Sequence, residues 1–223
     1  MITERDMKIL SFIDRFQFTK RRFIKELYFS SNTEKGACKA SYDRINKLKK
    51  AGLIKKIDDL WSREHIYLLT FKGAQSLTMY GEKPTVHKTI AWNNFMHNEM
   101  IQRVLMEFVA LGHRRFMSER DFIRFTKKSE LIPDLVLVKD DDRFIYIEIE
   151  LEEKSVSRLT DRAQRLTLEP NLAGVLYVCG SPRIENKVNR AYLESSKKIN
   201  FFCIEESHFF KNAKTFCKEI LHA

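Results

Sequence analysis

Apolar residues recur at helical spacing from the start of the chain: Met7, Ile9, Leu10, Ile13 and Phe16 fall within residues 4–16, behind Thr3, which can cap the first turn. A second run follows Thr19, expected to be its cap, with Phe23, Ile24, Leu27 and Tyr28 as the buried face. After a polar break a third run spans residues 37–50, turns Ile45 and Leu48 inward and stops at Gly52. Residues 53–57 and 65–70, separated by the turn-like Asp58-Asp59, predict a β-ribbon. Beyond Gly81 and Pro84, the spacing of Phe95, Met96, Met100, Val104, Leu105 and Phe108 predicts a long helix over 92–111. The remainder alternates: strands near 121–125, 132–138 and 143–151, a helix over 156–168, a buried strand at 174–179, a helix over 184–197, a strand at 200–204 and a last helix over 207–221.

Three helices followed by a ribbon resemble the winged-helix order. The expected architecture is therefore α/β, α+β overall: a winged-helix DNA-binding domain over 1–82 and a three-layer α/β domain over 83–223. In a winged helix the third helix enters the major groove, and here its exposed face would present Lys39, Ser41, Tyr42, Arg44 and Lys47. Lys55, Lys56, Arg63 and His65, with Trp61 near the ribbon tip, would reach the backbone or minor groove, where such contacts supply affinity more than specificity.

Charge agrees with that division. The 223 residues carry a formal net charge of +10, and residues 1–82 hold 17 Lys or Arg against 10 Asp or Glu, whereas 83–223 hold 23 against 20. The polyanion-seeking part is the N-terminal third. No apolar run approaches the ~20 residues that cross a bilayer and the first residues are amphipathic, so no membrane segment is expected and a cytoplasmic location fits. Cys38, Cys179, Cys203 and Cys217 are far apart and form no CxxC pair, which argues against zinc sites and disulfide frameworks.

The chemistry concentrates in residues 132–150. If Asp140, Asp141 and Asp142 form a three-residue turn, Lys139 pairs with Arg143 and Asp134 falls opposite Glu148. Opposite residues of an antiparallel pair share a face, as do residues two apart on one strand, so Asp134, Glu148 and Glu150 would converge. Both faces are otherwise apolar, and carboxylates at the buried end of such a hairpin repel each other unless a cation or proton neutralises them. Mg²⁺ or Mn²⁺, with oxygen ligands, is the expected cofactor.

Pro133-Asp134, thirteen intervening residues, then Glu148-Ile149-Glu150 resemble the PD-(D/E)xK nuclease signature, with Glu150 where that family carries lysine. The order of short elements along the whole chain is also similar to the plasmid replication-relaxation and MobC-type mobilisation relaxase families: residues 3–10, Gly52-Leu53-Ile54, residues 67–70 with Gly73, Asn98-Glu99, and the two acidic elements. The resemblance implies a metal-dependent endonuclease that nicks one strand of plasmid DNA at an origin of transfer, together with accessory mobilisation proteins. Asp134 and Glu148 would hold the metal, and Glu150 would be a further ligand or the general base. Glu99 would be a ligand or lie just behind one, and Lys154 would stand in for the missing lysine. Arg158 and Arg162, with Arg165, share one helix face that could grip phosphates. Two other readings follow from the same residues: a DNA-binding replication or transcription regulator whose core no longer cuts, and a protein-interaction scaffold.

Overall fold

Thr3 and Asp6 start the first helix by exchanging hydrogen bonds: the Thr3 N–H donates to Asp6 Oδ2 at 2.7 Å and the Asp6 N–H donates back to Thr3 Oγ1 at 3.4 Å. The computed structural model describes residues 2–29, 33–59, 64–87, 90, 94–126, 131–193 and 200–222. The chain is a mixed α/β protein that divides into two units, Met1–Ala110 and Leu111–Ala223.

In the first unit the order is α1 (Glu4–Arg15), β1 (Thr19–Lys20), α2 (Arg21–Tyr28), α3 (Glu34–Lys50), β2 (Ile54–Asp58), β3 (His65–Leu69), α4 (Phe71–Met79) and α5 (Phe95–Ala110). The strands form an antiparallel sheet in the order β1-β3-β2. Ile9, Leu10, Ile13, Ile24, Ile45, Leu48, Leu53 and Leu77 bring α1 to α4 and the ribbon into one core. Gly52, at φ +72, ends α3 where the sequence expects it, because a side chain there would be strained. Gly73 serves closeness instead: a Cβ would stand 2.2 Å from the Leu53 carbonyl oxygen, so α4 can lie against the ribbon only without a side chain at this position.

Two expectations change here. Thr19 does not cap α2; it pairs with Tyr67 in β1, and its hydroxyl donates to Gln102 Oε1 at 2.8 Å. The unit boundary falls at 110/111 instead of 82/83, since α5 joins the first unit through that bond and through Phe95, which stacks on Phe18 with ring centroids 4.8 Å apart.

A buried ionic cluster accompanies this packing. The Lys20 side chain is 2% exposed, and its ammonium lies 2.9 Å from Asp59 and 2.6 Å from Glu99. Arg22 adds contacts to Glu99 at 2.5 Å and to Glu64 at 3.3 Å. β1, α5 and both ends of the segment joining β2 to β3 are thereby tied to one cation.

The second unit contains β4 (Phe116–Ser118), α6 (Glu119–Thr126), β5 (Leu135–Val138), β6 (Phe144–Glu150), α7 (Val156–Leu166), β7 (Leu172–Cys179), α8 (Pro182–Leu193), β8 (Asn200–Glu205) and α9 (Glu206–His222). Its five-stranded sheet runs β4-β5-β6-β7-β8, antiparallel through β6 and parallel from β6 to β8. The parallel pairs need crossovers, which α7 and α8 supply. Leu159, Ala163, Leu166, Ile184, Val188 and Tyr192 from these helices cover Val136, Tyr146, Val175 and Tyr177 of the sheet. The strand expected at 121–125 is helix α6. Ser118 and Asp121 exchange hydrogen bonds as a capping box, the Asp121 N–H donating to Ser118 Oγ at 3.3 Å and the Ser118 N–H to Asp121 Oδ2 at 3.2 Å, and this commits the following residues to a helix.

Candidate active site and nucleic-acid interface

The β5–β6 hairpin has the register that a three-residue turn requires. Leu135 pairs with Ile147 and Val138 with Phe144, and the Lys139 N–H donates to the Arg143 carbonyl at 2.9 Å. Asp142 takes the left-handed conformation (φ 63) that closes the turn. One step beyond β5, Asp134 is opposite Glu148, and its Oδ2 accepts a 2.7 Å bond from the Ile149 N–H.

Glu148 is 6% exposed and Glu150 is 3% exposed. Each has a cationic partner. Arg162 Nη2 of α7 donates to Glu148 Oε1 and, at 3.0 Å, to the carbonyl of Ile132. Lys154 Nζ lies 2.5 Å from Glu150 Oε2. Burial pushes the Glu148 carboxyl up to about 7; Arg162 opposes the rise, and Asp134 adds to it. In this site desolvation outweighs the ion pair.

Among the described residues no group of three or more His, Cys, Asp or Glu is arranged to hold a metal. The expected gathering of three carboxylates is thus replaced by an adjacent pair, Asp134 and Glu148, with Glu150 turned to Lys154. Glu99 lies in the first unit, where Lys20 and Arg22 engage its carboxylate. Arg162 moves the other way: expected on a phosphate-gripping face, it reaches into the acid pair. Arg158, one turn earlier, remains exposed on α7.

Tyr177 stands next to Glu148 on β7, and its hydroxyl shares a 2.8 Å hydrogen bond with that of Tyr192. Burial, helped by the charge of Glu148, holds Tyr177 well above its usual pKa. A tyrosine so held is protonated and a poor nucleophile.

The raised Glu148 pKa makes a prediction. A carboxyl whose folded pKa exceeds its unfolded one binds more protons when folded, so stability is greatest below the unfolded value and falls as pH rises through the folded one. Metal-free protein should lose up to about 3 kcal/mol of unfolding free energy between the ordinary 4.5 and about 7. Urea titrations across that range in the presence of a chelator check it, with Glu148→Gln expected to flatten the profile.

On the first unit, Lys39, Tyr42 and Lys47 are exposed along α3, Tyr42 at 54%, with the Arg21 guanidinium 5.8 Å from the Tyr42 ring centre. Ser41 and Arg44 do not belong to that face. Ser41 is fully buried and donates to the Cys38 carbonyl at 2.9 Å. Arg44 is clamped to the buried Asp6 through Nε and Nη2 and to Thr3 Oγ1 at 2.9 Å. Although burial would raise the Asp6 pKa, hydrogen bonds from Arg44 and Thr3 hold it below the usual carboxylate value, so this pair locks α1 to α3. On the ribbon Lys56 is exposed and lies 3.8 Å from Asp58, and Lys55 is half-buried. Arg63 and Trp61 lie outside the described residues.

No protein-family model matches this chain, and neither the curated proteins nor the solved structures contain a match. No helix among the described residues is long and apolar enough to cross a membrane.

Proposed function

We propose that the protein is a DNA-binding, metal-dependent endonuclease, with a winged-helix first unit and a restriction-endonuclease-like second unit, that nicks one strand of plasmid DNA at an origin of transfer in concert with accessory mobilisation proteins. The register that sets Asp134 opposite the buried Glu148 carries this reading. A mixed sheet whose acidic strand is followed by a crossover helix supports it, as does the excess of Lys and Arg in residues 1–82.

The donor set fits a hard divalent cation. Two carboxylate residues are enough for Mg²⁺ or Mn²⁺, which keeps several waters in sites of this kind, and Glu148 is a buried acid whose charge burial disfavours. Asp134 and Glu148 would hold the ion, which when bound polarises a phosphodiester and activates water. Glu150, beside Lys154, would accept a proton from the attacking water as its oxygen bonds to phosphorus; the P–O bond to the leaving oxygen would then break, and that oxygen would take a proton from bulk water. Arg158 on α7 steadies the strand through its phosphates.

The exposed residues of α3 carry DNA affinity in this reading. Lys39→Ala with Lys47→Ala should weaken binding to a DNA duplex and reduce the slope of log affinity against log salt by about two, roughly one for each phosphate that is no longer neutralised. Fluorescence anisotropy over a salt series measures both; an unchanged slope removes α3 from the interface. Arg44→Ala should act through stability instead, because Arg44 is clamped to Asp6.

A second reading has its own observation. The Arg162–Glu148 and Lys154–Glu150 pairs neutralise the acids internally, as suits a DNA-binding replication or transcription regulator whose core does not cut. Nicking of supercoiled plasmid carrying the cognate origin, with Mg²⁺ or Mn²⁺, separates the two: wild type active and Asp134→Ala inactive supports the enzyme, whereas binding without nicking leaves the regulator.

A further inference from the structure

Arg162 joins the two chain segments that carry the acid pair. Its Nη2 binds the Glu148 carboxylate and the Ile132 carbonyl, two residues before Asp134. The fit is incomplete: Nε is buried and has no hydrogen-bond partner among the described residues. A buried donor left unsatisfied disfavours this position, which the ion pair and hydrogen bonds of Nη2 hold in place. The side chain is also 25% exposed, and Arg158 occupies the same face of α7 one turn away. An outward rotation would give Nε a water or phosphate partner and place two guanidiniums side by side, where one phosphate or two successive phosphates fit them. Such a rotation would also strip Glu148 of its counter-ion inside a poorly solvated site, leaving an acid pair that a divalent cation satisfies.

We propose that Arg162 is a resident counter-ion of the Asp134–Glu148 pair, which DNA phosphate draws away, so that DNA and the divalent metal bind cooperatively. This rests on Asp134 and Glu148 being the metal-holding pair. A guanidinium and a divalent cation repel each other at one carboxylate, so each disfavours the other; any ligand that holds Arg162 outward must favour the metal, and the metal must favour that ligand by the same factor. Through this coupling, metal-free encounters and DNA-free metal would each leave the site closed.

The experiment is a Mn²⁺ titration of metal-free protein, followed by the electron paramagnetic resonance of free Mn²⁺, with and without a short random-sequence DNA duplex. Wild type is expected to bind Mn²⁺ at least about tenfold more tightly with duplex present, within the usual range of such couplings. Arg162→Gln is expected to bind it that tightly without DNA and to gain little from adding it, whereas Arg162→Lys, which keeps the charge, retains the dependence on duplex. If Arg162→Gln binds Mn²⁺ no more tightly than wild type while Asp134→Asn abolishes binding, the metal site stands and the counter-ion role is overturned. Absence of Mn²⁺ binding in every variant, with and without duplex, removes both. Should Arg162→Gln fail to fold, the wild-type titrations decide: a Mn²⁺ affinity unmoved by duplex overturns the coupling.

Discussion

If the protein is the proposed metal-dependent nickase, Asp134→Asn is expected to lower nicking by on the order of a thousandfold while leaving the fold and DNA affinity intact. The size follows from the role: a metal held by two carboxylates contributes several kcal/mol of charge stabilisation in the transition state, and each ~1.4 kcal/mol is a factor of ten in rate. The substitution keeps the shape of the side chain and an oxygen that can accept from the Ile149 N–H, so the hairpin keeps its local hydrogen bond. It removes the negative charge, which no neighbouring group replaces in the same register. Nicked-circle formation from supercoiled plasmid gives the rate, and anisotropy with a labelled duplex gives the affinity. Equal nicking by wild type and variant would mean that the cut, if any, is made elsewhere on the protein.

Lys20→Met should be strongly destabilising to the first unit, costing about 3–5 kcal/mol of stability. That is the usual cost of removing one partner of a buried ion pair. Here Asp59, with 1% of its side chain exposed, would lose the ammonium 2.9 Å away. Arg22 would still reach Glu99 and Glu64, so the loss concentrates on the ribbon side of the cluster. Urea denaturation should show a lower midpoint at unchanged slope. A shift below ~1 kcal/mol would mean that water or a rearranged Arg22 screens Asp59, and that the cluster is a surface feature.

The parts of this protein that are legible in the sequence are those governed by local pattern. Three consecutive aspartates between two apolar runs specify a turn, and from the turn the opposition of Asp134 and Glu148 follows by counting. Gly52 marks the end of α3 for a similarly local reason. The burial of Ser41 is legible too, though its polarity hides it: the residue falls in line with Ala37, Ile45 and Leu48 at helical spacing, which is the buried stripe of α3. The start of α6 is likewise written locally, in Ser118 and Asp121 at capping-box spacing, although the β-prone Phe122, Ile123 and Phe125 suggest a strand.

What no local pattern reveals is which charges meet across the fold. Lys20 lies in the polar run Thr19-Lys20-Arg21-Arg22, and its burial depends on Glu99, far along the chain. Arg162 resembles Arg158 and Arg165 until the crossover helix is laid against β6, when it reaches Glu148. Glu99 looks like a spare acid for the same reason, since the cations that occupy it come from β1 and α2.

The turn at Asp140–Asp142 has an evolutionary corollary. Because the hairpin is apolar on both its faces, adding or deleting a single amino acid there would turn the upstream strand over while still leaving apolar residues on each side. Leucines and valines would exchange sides, and Asp134 would leave Glu148 behind. Under the proposed function, one short indel in that turn would abolish the metal site while leaving both strands apolar, so the length of the turn is the first feature to compare between this chain and any relative.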